Sequence, residues 1–430
     1  MNILKNNWFL VIVLFILTDC SSGSADKMKR TAKDSVSYSP PKPGILKKDD
    51  SLRLYNAIQA FYDTLLVKRG FNGAILVAKK GVIIFEKYHG YSNIVKKDTL
   101  NENSSFHIAS VSKTFTAMAT LKLVELGKLK LDDNIKMYFP TLPYEGVTVR
   151  MLLSHRSGLP NYLYFMQELG WDVKKYLSNS DVLNYLVTYK PPITHLPGTH
   201  FSYCNTNFAL LALIIEKVSG KSYPEFLQFN FFAPLGMTNT YVFTLADSAR
   251  AMQSYDWRGR PERLTFLDGG YGDKNIYSTP RDLLKWDQAL YSHQIFSKQT
   301  LEEAFTPYSN EKPGIKNYGF GWRMNLYPNG KKVIFHTGWW HGNNCILMRL
   351  IEDSATIIVL GNKYNRSIYQ SKQLANIFQP YFGTGTEEED QPETGKDDVQ
   401  SGDKTDTSGS DKNLKTIPRH RSIKRKIRRH

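Results

Sequence analysis

Apolar residues recur at helical spacing from Leu52 to Lys68, at Leu54, Ile58, Phe61 and Leu65, and Gly70 stops the run. This predicts a first helix. Two β-rich runs follow, Ala74 to Ala78 and Val82 to Tyr88, around Lys79-Lys80-Gly81, which is the pattern of a hairpin. Three further strand-like runs lie near the other end, Lys332 to Thr337, Cys345 to Leu350 and Thr356 to Leu360, and Ser367 to Phe382 reads as a closing helix. Between Ser110 and about Ala304 the chain is mostly helix-like segments and polar loops. The economical arrangement is a mixed α/β (α+β) fold. In it, an antiparallel sheet built from both chain ends is flanked by the first and last helices, with a mostly helical region inserted.

The pattern changes outside this body, residues 52–382. Lys5 precedes ten apolar residues, Trp8 to Leu17, and then Thr18-Asp19-Cys20 and Ser21-Ser22-Gly23-Ser24. Ten residues of helix cannot cross a hydrocarbon layer of ~30 Å, so residues 1–19 are read as an export signal. The placement of Cys20 resembles a bacterial lipoprotein signal, which implies lipidation at Cys20 and a place in the bacterial cell envelope, at the periplasm or outer membrane. Residues 20–51, rich in Ser, Lys and Pro, read as a flexible tether. Residues 383–430 lack the apolar content to fold alone and read as a disordered tail.

Composition agrees with a globular body: 430 residues, 41% hydrophobic and 13% aromatic. Three cysteines, Cys20, Cys204 and Cys345, are too few for a disulfide scaffold, and no Cys-x-x-Cys pair offers a zinc site. The formal charge of +16 is not a tail effect. Residues 383–414 hold ten acids against three bases and residues 415–430 hold eight bases and no acid, so the two blocks nearly cancel. The body itself is basic, which suits anionic partners such as cell-wall polymers, lipid head groups or carboxylate substrates.

Three segments could carry chemistry. Ser110-Val111-Ser112-Lys113 opens an apolar segment, Phe115 to Leu126, that ends at Gly127. Positions three apart are neighbours on a helix, so Lys113 lies beside the Ser110 hydroxyl as a base beside a nucleophile, and burial can make a lysine neutral enough for that work. Tyr203-Cys204-Asn205 precedes Phe208 to Val218, another apolar helix stopped by Gly220, and could supply a second proton-transfer group and a hydrogen-bonding amide. His336-Thr337-Gly338 ends a strand and is followed by Trp339-Trp340-His341-Gly342, where the N–H of Trp339 could join that of Ser110 in an oxyanion hole. Each motif has decoys. Ser-x-x-Lys recurs at Ser24, Ser309 and Ser401, and Tyr-x-Asn at Tyr91, Tyr308 and Tyr327, all in polar, turn-like or tail-like stretches.

In this order the three segments resemble the serine β-lactamase and penicillin-binding family, especially its class C β-lactamase, D-alanyl-D-alanine carboxypeptidase and esterase branch. Leu152-Leu153-Ser154-His155-Arg156-Ser157-Gly158-Leu159 and Tyr318-Gly319-Phe320-Gly321-Trp322 carry the same likeness, which covers about residues 55–380. The resemblance implies a β-lactamase/transpeptidase-like fold and Ser110 as the acylated nucleophile. It further implies that Lys113 and Tyr203 share the proton transfers and that Asn205, His336, Thr337, Gly338 and Trp339 contact substrate. β-Lactamases usually have Lys where this chain has His336. A permanent cation for a substrate carboxylate is therefore missing, and recognition of acidic substrates is expected to depend on protonation of His336 near an imidazole pKa of ~6.5. The expected activity is hydrolysis of D-amino-acid peptides or carboxylic esters, cell-wall-derived ones among them, with a true β-lactamase and a non-catalytic penicillin sensor as alternatives. No cofactor, metal or nucleic-acid partner is expected. The chain has no Gly-x-Ser-x-Gly elbow, no His-Glu-x-x-His helix and no Gly-rich phosphate loop.

Overall fold

The computed structural model describes residues 38–382. The export segment, Cys20 and the tail from Gly383 lie outside the described residues. The tether expected to run to Ser51 ends earlier. Ser39 and Gln294 exchange two hydrogen bonds, of 2.9 and 2.8 Å, Gly44 donates its N–H to Lys80 O at 2.8 Å, and the first helix starts at Lys48. The proline-rich stretch is laid along the body instead.

Helix α1 (Lys48–Phe61) continues through a π-helical turn, Tyr62–Leu66, and a short 3₁₀ turn, Val67–Arg69, to Gly70 at φ 76°. A π turn takes in extra backbone, so the buried face passes from Phe61 to Tyr62 and Leu66, and the expected Leu65 is only half-buried. Strands β1 (Gly73–Lys79) and β2 (Val82–His89) form the expected hairpin. Its two turn residues, Lys80 and Gly81, have φ of 51° and 76°, as a type I′ turn demands.

The sheet has seven strands. To β1 and β2 are added β3 (Lys316–Tyr318), β4 (Arg323–Leu326), β5 (Lys332–Trp340), β6 (Asn343–Leu350) and β7 (Ala355–Gly361), in the order β2-β1-β7-β6-β5-β4-β3. Every pairing is antiparallel. Strands β3 and β4 escape a sequence reading because three or four residues around Gly319 and Gly321 show no alternation. Central strands β6 and β7 are buried at every position, since both faces are covered. Ile75, Val77, Phe335, Met348 and Val359 pack with α1 and the closing helix, whereas Leu76, Ile334, Leu347 and Leu360 pack with the helical region. The closing helix differs from expectation: it is a 3₁₀ helix over Arg366–Ile377 and does not reach Phe382. Pro380 disfavours helical backbone at Gln379 and accounts for the stop.

Two helices of the inserted region position the candidate site. Helix α2 (Ser112–Glu125) is buried without a break from Ser112 to Leu121, and α3 (Asn205–Ser219) packs against it and ends at Gly220, φ 69°. A small three-stranded sheet joins Phe106–His107, Ile276–Ser278 and Tyr241–Val242, and so ties the segment before Ser110 to the loop that ends at Ile276. Among the described residues no helix is long and apolar enough to cross a membrane.

Candidate active site

Ser110 stands in a 3₁₀ turn, Ala109–Val111, immediately ahead of α2. Ala109 before it is left-handed, φ 46°, a conformation that costs an ordinary residue about 1–2 kcal/mol. The surroundings hold it there. Ala109 N–H donates to His107 Nδ1 at 3.1 Å, His107 Nε2 donates to Asn275 Oδ1 at 2.8 Å, and Ile108 N–H donates to Ile276 O at 2.9 Å. Burial pushes His107 down to about 4, so the ring stays neutral and keeps this donor–acceptor order.

Lys113 is fully buried one turn on, beneath a partly exposed Ser110. Its Nζ lies 3.1 Å from Ser110 Oγ, 2.8 Å from Asn205 Oδ1 and 2.8 Å from the Asp273 carbonyl oxygen. The Asn205 Oδ1 and the Asp273 carbonyl oxygen can only accept, so they take two N–H bonds, and the third position of the amine is aimed at Ser110. In an ammonium that position is a donor to the hydroxyl. In a neutral amine it is a lone pair directed at the hydroxyl proton. The same Nζ sits 4.9 Å from the centre of the Tyr203 ring, just before α3.

The strand segment arrives from the sheet. β5 pairs with β6 from Ile334 to Trp340 but with β4 only from Lys332 to Phe335, so beyond Phe335 its second edge has no strand partner among the described residues. That edge adjoins the turn bearing Ser110. The approach requires Gly338, where a Cβ would fall 2.6 Å from Ile108 O, 3.0 Å from Ala109 Cβ and 2.5 Å from Cys345 Sγ. Gly338 is therefore a mid-strand residue and not the end of the strand. Tyr369, from the closing helix, donates its hydroxyl to Gly338 O at 2.9 Å. Thr337 and Trp339 are part-buried, and the Trp339 indole N–H is turned back to His341 O at 2.8 Å.

His336 departs from expectation. It is fully buried, its Nδ1 donates to Thr337 O at 2.7 Å, and its Nε2 accepts from the Tyr318 hydroxyl at 3.2 Å. Burial first, then the Arg323 and Lys113 cations, hold it well below the usual imidazole value. The neutral ring is favoured near pH 7, so His336 offers a substrate carboxylate no permanent cation. His155 is likewise fully buried and held well below the usual value, by burial and then by Lys113, His336 and Arg323.

A stability prediction follows from these three histidines. In each the folded value lies below an unfolded one of ~6.5, so each contributes stability that is complete above that pH and lost as pH falls through it, at up to about 1.4 kcal/mol per pH unit. The melting temperature is expected to be flat from pH 8 to 7 and to fall between pH 6.5 and 5, above the range where ordinary carboxylates titrate. An unchanged melting temperature from pH 7 to 5 would refute the neutral buried rings.

The structure thus brings Ser110, Lys113, Tyr203, Asn205 and His336 into one cluster, with the His336 and Tyr203 ring centres 6.3 Å apart. The decoys fall elsewhere: Ser309 binds Asn317 through both its N–H and its hydroxyl, and the Tyr308 hydroxyl donates to Glu303 at 2.7 Å. Cys204 is a small buried filler, its thiol pushed up to about 11 by burial. Sequence reasoning missed Asp273 because it acts through a backbone carbonyl, which has no side-chain signature. It also missed Arg323, whose guanidinium lies 5.0 Å from the Tyr203 ring centre and sits on the unforeseen strand β4.

An antiparallel sheet against a helical region, with a serine, a buried lysine and a tyrosine at the junction, defines a serine hydrolase of the β-lactamase/transpeptidase fold. Residues 58–374 match the family described as Beta-lactamase, and the chain belongs to that family. Penicillin-binding protein 4* of Bacillus subtilis (strain 168) is 34% identical over 345 residues, covering 75% of this chain and 76% of that protein. Among solved structures, an octameric penicillin-binding protein homologue from Pyrococcus abyssi has a TM-score of 0.64 at 27% identity, covering 74% of this chain and 77% of that one. D-amino acid amidase from Ochrobactrum anthropi SV3, complexed with D-phenylalanine, has a TM-score of 0.62 at 25% identity, covering 76% of this chain and 97% of that one.

Proposed function

We propose that the protein hydrolyses amide or ester bonds next to D-amino-acid residues, as a peptidase, amidase or esterase, through an acyl-enzyme on Ser110. The observation that carries this is the Lys113 Nζ, fully buried and held by Asn205 and Asp273 with its third position on Ser110 Oγ. Ser110 Oγ attacks the carbonyl carbon, and its proton passes through the Lys113 and Tyr203 pair to the departing amine or alcohol. Water then adds to the ester, gives its proton to the same pair, and releases the acid with Ser110 restored. The N–H groups of Ser110 and Trp339 receive the oxyanion. The unpaired edge of β5 beyond Phe335 suits an extended peptide lying as an added strand, with Asn205 Nδ2 left for its amide because Oδ1 is engaged by Lys113.

Two observations favour D-amino-acid substrates over β-lactams. The likeness to a D-amino acid amidase runs over 97% of that enzyme. His336, neutral and buried, gives no permanent cation at the strand for a penicillin carboxylate. The test is turnover by the purified protein of a D-amino-acid amide, a D-alanyl-D-alanine peptide, a nitrophenyl ester and a penicillin. Turnover of the D-compounds or ester at least tenfold above the penicillin is expected, and a penicillin turned over fastest would make β-lactam hydrolysis the function.

A further inference from the structure

Tyr203 lies in the segment leading into α3, outside regular structure, yet the proton transfers proposed above need its ring held against Lys113. His155 brackets it from both sides. The His155 carbonyl oxygen accepts the N–H of Ser202 at 2.8 Å, and its ring Nδ1 accepts the N–H of Cys204 at 3.2 Å. The residue before Tyr203 and the residue after it are therefore both tied to one side chain and its own backbone. The imidazole centre is 4.4 Å from the Tyr203 ring centre, with Phe208 at 5.0 Å and Tyr318 at 4.8 Å.

Three features show a part built for this place. His155 has φ 55°, a left-handed conformation uncommon outside glycine that His, like Asn and Asp, adopts more readily than most residues. Its Nδ1 also faces the Asn207 side-chain amide at 3.2 Å, and Asn207 Oδ1 accepts from Ser157 Oγ at 2.6 Å. With Nδ1 accepting, the ring proton sits on Nε2, a buried nitrogen with no hydrogen-bond partner among the described residues. An unpaired buried N–H is costly, about 1–3 kcal/mol. A core packed only for stability has no use for it, and an apolar ring of the same shape would avoid the cost but lose the Nδ1 acceptor.

We infer that His155 is the positioning residue for Tyr203, acting through the Ser202 and Cys204 N–H groups to hold the phenol in register with Lys113. The inference rests on the proton-transfer role proposed for Tyr203, and a double-mutant cycle separates the two. His155→Gly keeps the left-handed backbone and the carbonyl but removes the Nδ1 acceptor. It is expected to lower kcat on a small ester by about 30-fold or more, with KM changed less than threefold. In a Tyr203→Phe background the same change is expected to cost less than threefold, because nothing is left to position. Equal losses in both backgrounds would overturn the positioning role and leave His155 a structural residue. A Tyr203→Phe enzyme within threefold of the parent would instead sink the role of Tyr203, on which the inference depends.

A second comparison holds if His155→Gly does not fold. Asn tolerates positive φ, and its Oδ1 stands close to the place of Nδ1, so His155→Asn is expected to keep kcat within about fivefold. In His155→Gln the carbonyl oxygen reaches the place of Nε2 instead, so kcat is expected to fall as in His155→Gly. Asn and Gln variants of equal activity would overturn the inference.

Discussion

A fluorophosphonate probe is expected to label this protein on Ser110 alone, and Ser110→Ala is expected to lose labelling and at least ~10⁴-fold in kcat. The reason is geometric. Among the described residues, only this serine has a buried amine 3.1 Å from its Oγ and a part-exposed place at the mouth of a buried helix. Ser309, a decoy with a lysine three residues on, has its hydroxyl on Asn317 Oδ1 at 3.1 Å and no helix behind it. Intact-mass analysis and peptide mapping read the outcome. An adduct confined to another serine, with Ser110→Ala labelled at the parent rate, would end the acyl-enzyme reading altogether.

Tyr203→Phe is expected to lower turnover by ~10² to 10⁴, the usual range for a positioned acid or base, while the melting temperature changes little. The substitution removes one hydroxyl and leaves the ring in place against Lys113, His155 and His336. Tyr308→Phe is the matched control, because its hydroxyl donates to Glu303 and its ring is stacked on Phe320. If both variants kept turnover within threefold of the parent, Tyr203 would be a packing residue and Lys113 would carry the proton alone.

The elements that the sequence shows best are those whose pattern is local. The hairpin is legible because Lys80 and Gly81 form a two-residue loop between two β-rich runs, and the helices behind Ser110 and Tyr203 are legible because their apolar runs end at Gly127 and Gly220, with φ of 66° and 69°. Both can be read from a dozen neighbouring residues. The π turn that moves the buried face to Leu66, the 3₁₀ form of the closing helix and the short strands β3 and β4 were not legible. Each depends on what the segment packs against rather than on its own period.

The candidate site divides along the same line. Ser110 and Lys113 are three residues apart in one chain segment, so helical spacing alone sets them side by side, and the ordered motifs at Tyr203 and His336 add the remaining candidates. Which atoms meet is a different matter. Lys113 is held by the Asp273 carbonyl across 160 residues of chain, Tyr203 is bracketed by His155 across about 48, and Gly338 is where β5 closes on Ile108. The charge state of His336 was misjudged for the same reason. A histidine read from sequence carries the ~6.5 pKa of a solvent-exposed imidazole, whereas full burial first, then the charges of Arg323 and Lys113, hold that of His336 well below it. Sequence determined the residue types and their local spacing, because those follow from covalent neighbours. Burial, field and long-range hydrogen bonds were decided only by the tertiary structure, because they depend on segments that the chain brings together from far apart.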